Sequence, residues 1–160
     1  KDIRLHRFRQ GSRQEGGFFP GTQNMPGIAA CSAALKLLSD DELRRLKVLH
    51  NEGLEILQRE VSQFVINTPP ESQTGILNIS LMGKNTDSME ELIMALAEEQ
   101  ICISRFSACN GKIKIPSLIL TEMGFSTERT LTSLRISSGR FNSRDDYFRL
   151  ARFLKEWQKR

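Results

Sequence analysis

Aromatic side chains are scarce in this chain, at 7% of 160 residues with one Trp and one Tyr. Histidine and cysteine are scarcer, at two and three. The thiols Cys31, Cys102 and Cys109 form an odd set without CxxC spacing, which excludes a disulfide framework and a ready-made zinc site. A metal centre built from Cys102, Cys109 and a histidine fits no zinc or iron–sulfur pattern either, because His6 and His50 are remote from both in sequence. Free thiols in a reducing compartment fit better. No apolar run approaches the roughly 20 residues that span a bilayer, and the amino terminus shows no signal-peptide pattern. The expectation is a soluble cytoplasmic protein with no membrane partner.

Charge of one sign is also lacking. Lys and Arg total 23 against 19 Asp and Glu, a net charge of +4, and the bases are interleaved with acids, as in Asp40-Asp41-Glu42-Leu43-Arg44-Arg45. A nucleic-acid binder concentrates positive charge on one face, so direct nucleic-acid binding is not expected. The exception is Lys1 to Arg13, where Lys1, Arg4, Arg7, Arg9 and Arg13 accompany His6. That stretch reads as a basic ligand site or as a solvated surface strand.

What is present suits one globular domain: 39% hydrophobic residues patterned into elements. Seven Gly and Pro residues between Gly11 and Gly27 break regular structure there. Pro26 and the Ala-rich run after it predict a helix over about 24–38. Ser39 with Glu42 makes a capping box for a second helix to about Arg59, with Leu43, Leu46, Leu49, Leu54 and Leu57 at helical spacing. Val61–Ile66 and Ile76–Leu81 read as strands, Asp87 caps a helix through Glu99, and Ile101–Ile103 reads as a third strand. A short helix over Ser117–Met123 lies between Pro116 and Gly124, a strand over Leu131–Ile136 follows, and Ser143 caps a last amphipathic helix. The order predicts an α+β fold with a sheet of about four strands and two amino-terminal helices.

Three segments carry chemistry. Cys109 sits in Ser107-Ala108-Cys109-Asn110-Gly111, a small polar loop after a strand, where a thiol is accessible enough to react. Cys31, in an Ala-rich helix, and Cys102, between two isoleucines, read as buried small hydrophobes. Arg135 lies near a strand end before a Gly-containing turn, where its guanidinium can clamp a carboxylate, or is a surface Arg on an edge strand. Pro20-Gly21-Thr22-Gln23-Asn24 puts a hydroxyl and backbone amides at the mouth of a helix, which suits a phosphate or simply a cap by Thr22 or Asn24.

Together, in this order, these segments resemble the carboxy-terminal part of the cysteine desulfurases, fold-type I pyridoxal-phosphate enzymes of the class-V aminotransferase group. The resemblance covers nearly the whole chain. Its motifs are Gly11-Ser12-Arg13-Gln14-Glu15-Gly16 leading to Gly21-Thr22-Gln23-Asn24, then Leu77-Asn78-Ile79-Ser80, Ser107-Ala108-Cys109, Pro116-Ser117, and Ser133-Leu134-Arg135-Ile136-Ser137-Ser138-Gly139-Arg140-Phe141.

The resemblance implies that residues 1–23 continue from a large domain and that 24–160 form the small domain. It implies that Cys109 takes sulfur from L-cysteine as a persulfide, leaving L-alanine, and passes it to an acceptor or scaffold protein for iron–sulfur assembly or tRNA thiolation. Arg135 would hold the substrate carboxylate with Asn78 as a pocket neighbour, and Thr22 would reach the pyridoxal phosphate of the other subunit of a homodimer. Family arginines are replaced by Gly16 and Phe19, Arg105-Phe106 stands where small residues are usual, and the Ser-x-His-Lys motif of the cofactor lysine does not occur in the sequence. The chain alone is therefore expected to bind no cofactor covalently and to be inactive. A persulfide-carrier or scaffold domain derived from the same family is the alternative.

Overall fold

The structure, a computed structural model, describes residues 5–72, 75–105 and 116–159. The chain divides into two compact units, Lys1–Ser39 and Asp40–Arg160.

In the first unit, helix α1 spans Met25–Lys36, within the expected 24–38. Pro26 occupies the first turn, where its missing N–H costs nothing. Asn24, not Thr22, is the cap: its Oδ1 accepts the Gly27 N–H at 3.0 Å. No residue of α1 is buried, and Met25, Ile28 and Leu35 are exposed. Residues 5–10 form no strand. Glu15, Gly16 and Gly17 all take positive φ, and a Cβ on Gly17 would lie 2.8 Å from the Arg7 guanidinium carbon, so only glycine lets that arginine lie along the backbone.

The second unit begins with α2, Asp40–Glu60, whose first turn carries Asp40, Asp41 and Glu42 at the positive end of the helix dipole. It buries Leu49, His50, Gly53, Ile56 and Leu57. The expected leucine stripe is displaced, because Leu43 is exposed and Leu46 only half-buried: the first turns of the helix run past the core. Arg45 closes this end of the unit. It grips the Glu42 carboxylate with two N–H groups and donates to the carbonyls of Asn142 and Gly139, tying the turn over 139–142 to α2.

Strands β1 (Phe64–Ile66), β2 (Ile76–Leu81) and β3 (Ser133–Ser137) form an antiparallel sheet in the order β1-β2-β3. The architecture is α+β, but among the described residues the sheet has three strands where about four were expected. β1 starts late because Gln63 is left-handed, at φ 51°. The strand expected at Ile101–Ile103 is replaced by a single bridge, Ser104 to Arg135.

The cause lies in the end of α3 (Thr86–Glu98). The Gln100 N–H donates to Ala97 O at 2.9 Å and the Ile101 N–H to Leu96 O at 2.8 Å, with Gln100 at φ 58°. That paired stop spends the Ile101 amide on the helix, leaving none for a ladder. At the other end the cap is Asn85 rather than Asp87, with Ser88 completing a reciprocal box.

Helix α4 (Leu118–Glu122) is stopped by Gly124 at φ 84°, as the sequence predicts, but its cap is Ser117, so Pro116 lies before the helix. Helix α5 (Thr127–Leu131) was not anticipated; Ser126 caps it, and it delays β3 to Ser133. Helix α6 (Arg144–Trp157) starts where expected, with the Asp146 carboxylate accepting the Ser143 N–H at 2.9 Å.

The core lies between one face of the sheet and the helices. Leu77, Ile79, Leu81, Leu134 and Ile136 come from the strands, Met89, Leu92 and Leu96 from α3, and Tyr147, Leu150, Ala151 and Leu154 from α6. Each such side chain contributes roughly 1.5–3 kcal/mol on burial. Phe153, expected in that stripe, is half-buried, packs against the core and stacks on Trp157.

Helices α2 and α6 meet at Gly53, where an added Cβ would lie 2.3 Å from carbons of the Tyr147 ring. The ring cannot swing away, because it is buried and its hydroxyl bonds Ser138 at 2.7 Å. Gly53→Ala should therefore lower stability by about 1–3 kcal/mol despite alanine's better helix propensity, as read from denaturant midpoints.

His50 is 8% exposed, its buried Nδ1 has no partner among the described residues, and burial holds its pKa below the ordinary 6.5. The unfolded chain therefore takes up a proton near pH 6.5 that the folded chain refuses, so stability falls as pH drops below that value. His50→Leu should flatten that part of the stability–pH curve; an unchanged slope would contradict the assignment.

Candidate functional site

The face of the sheet turned from the core is polar, and it brings two of the expected site residues together. Asn78 and Arg135 are register partners, and opposed residues of an antiparallel pair project from the same face. Both main-chain groups of Arg135 bond outward: its N–H to Ser104 O at 2.6 Å, its carbonyl to the Ser104 N–H at 3.2 Å. Those of Asn78 bond the other way, its carbonyl accepting the Asn67 N–H at 2.8 Å and its N–H donating to Thr68 Oγ1 at 2.6 Å. The pair is thus of the non-hydrogen-bonded type, in which opposed side chains approach most closely.

A polar row results: Asn67 and Thr68, then Asn78, then Arg135, then Ser104. Arg135 is exposed, and among the described residues its guanidinium has no hydrogen-bond or ion-pair partner. Asn78 is half-buried, and its Oδ1 accepts from Asn67 Nδ2 at 2.7 Å. None of these five residues is acidic, so the row attracts an anion; a planar carboxylate matches the arginine fork.

Behind the row lies a buried network that sequence reasoning missed. Asn67 is 3% exposed and Ser80 is fully buried. Asn67 Nδ2 also donates to Ser80 Oγ at 2.7 Å, and Ser80 Oγ donates to the Arg129 carbonyl at 2.6 Å. The Arg129 side chain returns over the sheet edge, Nε donating to Asn67 Oδ1 at 2.6 Å and an Nη to Ile66 O at 2.7 Å, while its guanidinium covers the Phe125 ring at 3.8 Å. Arg105 is anchored nearby on Leu131 O at 2.7 Å, and burial pushes its pKa down with Glu90 opposing. An asparagine closing the Phe64-Val65-Ile66 run was the one available signal for Asn67; Arg129 had none.

Cys109 lies outside the described residues; the last described residues before it are Ser104, in the bridge to Arg135, and Arg105. Thr22 belongs to the first unit, is exposed, and makes no hydrogen bond among the described residues. Cys31 and Cys102 are both exposed, contrary to the expectation of two buried small hydrophobes: α1 buries nothing, and residues 101–103 are not a strand. Cys102 lines a cavity of about 110 Å³ with Ser138, Asn142 and Tyr147 that includes neither Arg135 nor Asn78.

Among the described residues no group of His, Cys, Asp and Glu could hold a metal ion, and no helix is long and apolar enough to cross a membrane. An aldehyde cofactor is held by an amine desolvated in a pocket. Lys36, Lys47, Lys155 and Lys159 are exposed and Lys84 is half-buried, so the described lysines do not fit that role, and Thr22 offers a hydroxyl only.

Residues 4–150 match the family model described as aminotransferase class-V. A mitochondrial cysteine desulfurase of Arabidopsis thaliana is 32% identical over 149 residues, covering 90% of this chain and 32% of its own length. The cysteine desulfurase IscS of Anaeromyxobacter sp. (strain K) is 29% identical over 148 residues, again 90% of this chain and 35% of its own. The chain thus spans about a third of the length of these curated relatives. In fold it is similar to the crystal structure of a NifS-like protein from Rickettsia africae, with a TM-score of 0.76 at 19% identity over 99% of this chain and 41% of that one. The chain belongs to the class-V aminotransferase family, and the relatives it resembles are cysteine desulfurases of the NifS/IscS type.

Proposed function

We propose that this chain supplies the substrate-gripping and sulfur-receiving part of a cysteine desulfurase. The observation that carries the reading is the unpaired Arg135 guanidinium beside Asn78, with the chain leading to Cys109 leaving the sheet from the very residue that bridges Arg135. Five peptide links join Ser104 to Cys109, and a chain of that length spans at most about 18 Å, which supports the reading that Cys109 can reach what Arg135 holds.

In this reading Arg135 takes the carboxylate of L-cysteine in a bidentate pair, and the Asn78 amide supports it. The Cys109 thiolate attacks the substrate sulfur. The new S–S bond forms as the carbon–sulfur bond breaks, its electron pair passes to the carbon, and a proton completes L-alanine. Cys109 is left as a persulfide, and a thiolate on an acceptor protein can then remove the outer sulfur. Pyridoxal phosphate, expected for this family, supplies an electron sink for that carbon. This chain would offer the Thr22 hydroxyl toward its phosphate, while the amine that attaches it comes from outside these 160 residues. A homodimer, a cytoplasmic location and delivery of sulfur to iron–sulfur assembly or tRNA thiolation belong to the same proposal.

Two outcomes check it. With a persulfide donor, the peptide containing Cys109 should gain one sulfur atom by mass spectrometry, while those containing Cys31 and Cys102, both exposed, should not; equal gain at all three would remove the special role of Cys109. In a desulfurase assembled with a lysine-bearing large domain, Arg135→Ala should cut kcat/KM for L-cysteine by roughly 10- to 150-fold, the value of a lost charge-assisted pair, and Cys109→Ser should abolish sulfide release. Full turnover by Arg135→Ala would refute the clamp.

A further inference from the structure

The buried network has a direction. An arginine side chain donates hydrogen bonds and accepts none. The Asn67 atom that Arg129 Nε meets at 2.6 Å is therefore the carbonyl oxygen, which settles an amide orientation that shape alone leaves ambiguous. Asn67 Nδ2 must then face the other way, where it spends one proton on Ser80 Oγ and the other on Asn78, each at 2.7 Å. Ser80 cannot reverse this, because its single proton goes to the Arg129 carbonyl. The Asn78 atom that receives a proton from Asn67 is in turn Oδ1. The Nδ2 of Asn78 is left on the outer branch of its amide, and among the described residues no hydrogen bond uses it.

We propose that Arg129 and Asn67 are positioning residues that lock the Asn78 amide with its NH₂ group toward Arg135, so that the site offers donors only and selects a free carboxylate over a neutral amide. The orientation follows from one obligatory donor two side chains away. An Asn78 amide turned over would place its oxygen beside the guanidinium and give a carboxylate an acceptor to repel it. The selectivity part rests on the carboxylate-binding reading of Arg135; the orientation part does not.

The test uses the ¹⁵N-labelled chain titrated with L-alanine and with L-alaninamide. The Arg135 Nε and Asn78 Nδ2 resonances should move with L-alanine, and the Asn78 NH₂ protons should exchange with water faster than those of Asn67. Asn67→Asp keeps an acceptor for Arg129 but turns a second acceptor toward Asn78, which should reverse that amide and lower the preference for alanine over alaninamide about tenfold or more. Arg129→Met should lower the same ratio by freeing Asn67, and Arg129→Lys, still a pure donor, should restore it. The methionine variant carries the test if Asn67→Asp does not fold.

Slower exchange at Asn78 than at Asn67, or an unchanged ratio in a folded Asn67→Asp or Arg129→Met chain, overturns the proposal. If L-alanine leaves Arg135 unmoved, or binds Arg135→Ala equally well, the carboxylate reading fails instead, and the exchange order of the two amides alone decides the orientation.

Discussion

The register of β2 against β3 is the constraint on which the site depends. Because side chains alternate between faces, slipping the ladder by one residue would turn Arg135 into the hydrocarbon and Leu134 and Ile136 into water. The core face prevents this. Leu77, Ile79 and Leu81 on β2 and Leu134 and Ile136 on β3 interlock with α3 and α6, so the pairing that buries these five residues is also the one that sets Asn78 beside Arg135. The core and the candidate site draw on the same register from opposite sides of one sheet.

The polar side is buried more deeply than the position of Arg135 suggests, and that burial makes it specific. An unpaired amide under a sheet costs roughly 1–3 kcal/mol, so a network of this kind is tolerated only when every proton has an acceptor. Asn67 meets that condition with both amide protons and its carbonyl engaged. Ser133, on the same face, does not: among the described residues its buried Oγ has no partner. Order at the row is therefore concentrated around Asn67 rather than spread over the face.

Much of this was legible in the sequence, and the omissions have physical causes. The Leu-Asn-Ile-Ser alternation disclosed both faces of β2, and Ser143 and Gly124 marked helix ends because capping is a local matter of one or two side chains. Arg135 and Asn78 could be named separately, whereas their pairing could not, since register is decided by residues on the other face. Ile101–Ile103 has strand composition but loses its first amide to the stop of α3, an event governed by the backbone of Gln100. Arg129 looks like any surface arginine in sequence; only the fold sets it over Phe125 and against Asn67. Cys109 was singled out by its loop and its motif, and nothing in the described residues bears on it directly.

The replacement of a fourth strand by the Ser104–Arg135 bridge has a mechanical consequence. A full strand would have to be peeled away as a cooperative unit, many bonds at a time. Two main-chain bonds, with the Arg105 side chain anchored beside them on Leu131 O, form a button rather than a seam: they can come undone while the β2–β3 ladder stays in place. Residues 104 and 105 can let go of the ladder and return to the same anchorage without any loss of register between β2 and β3.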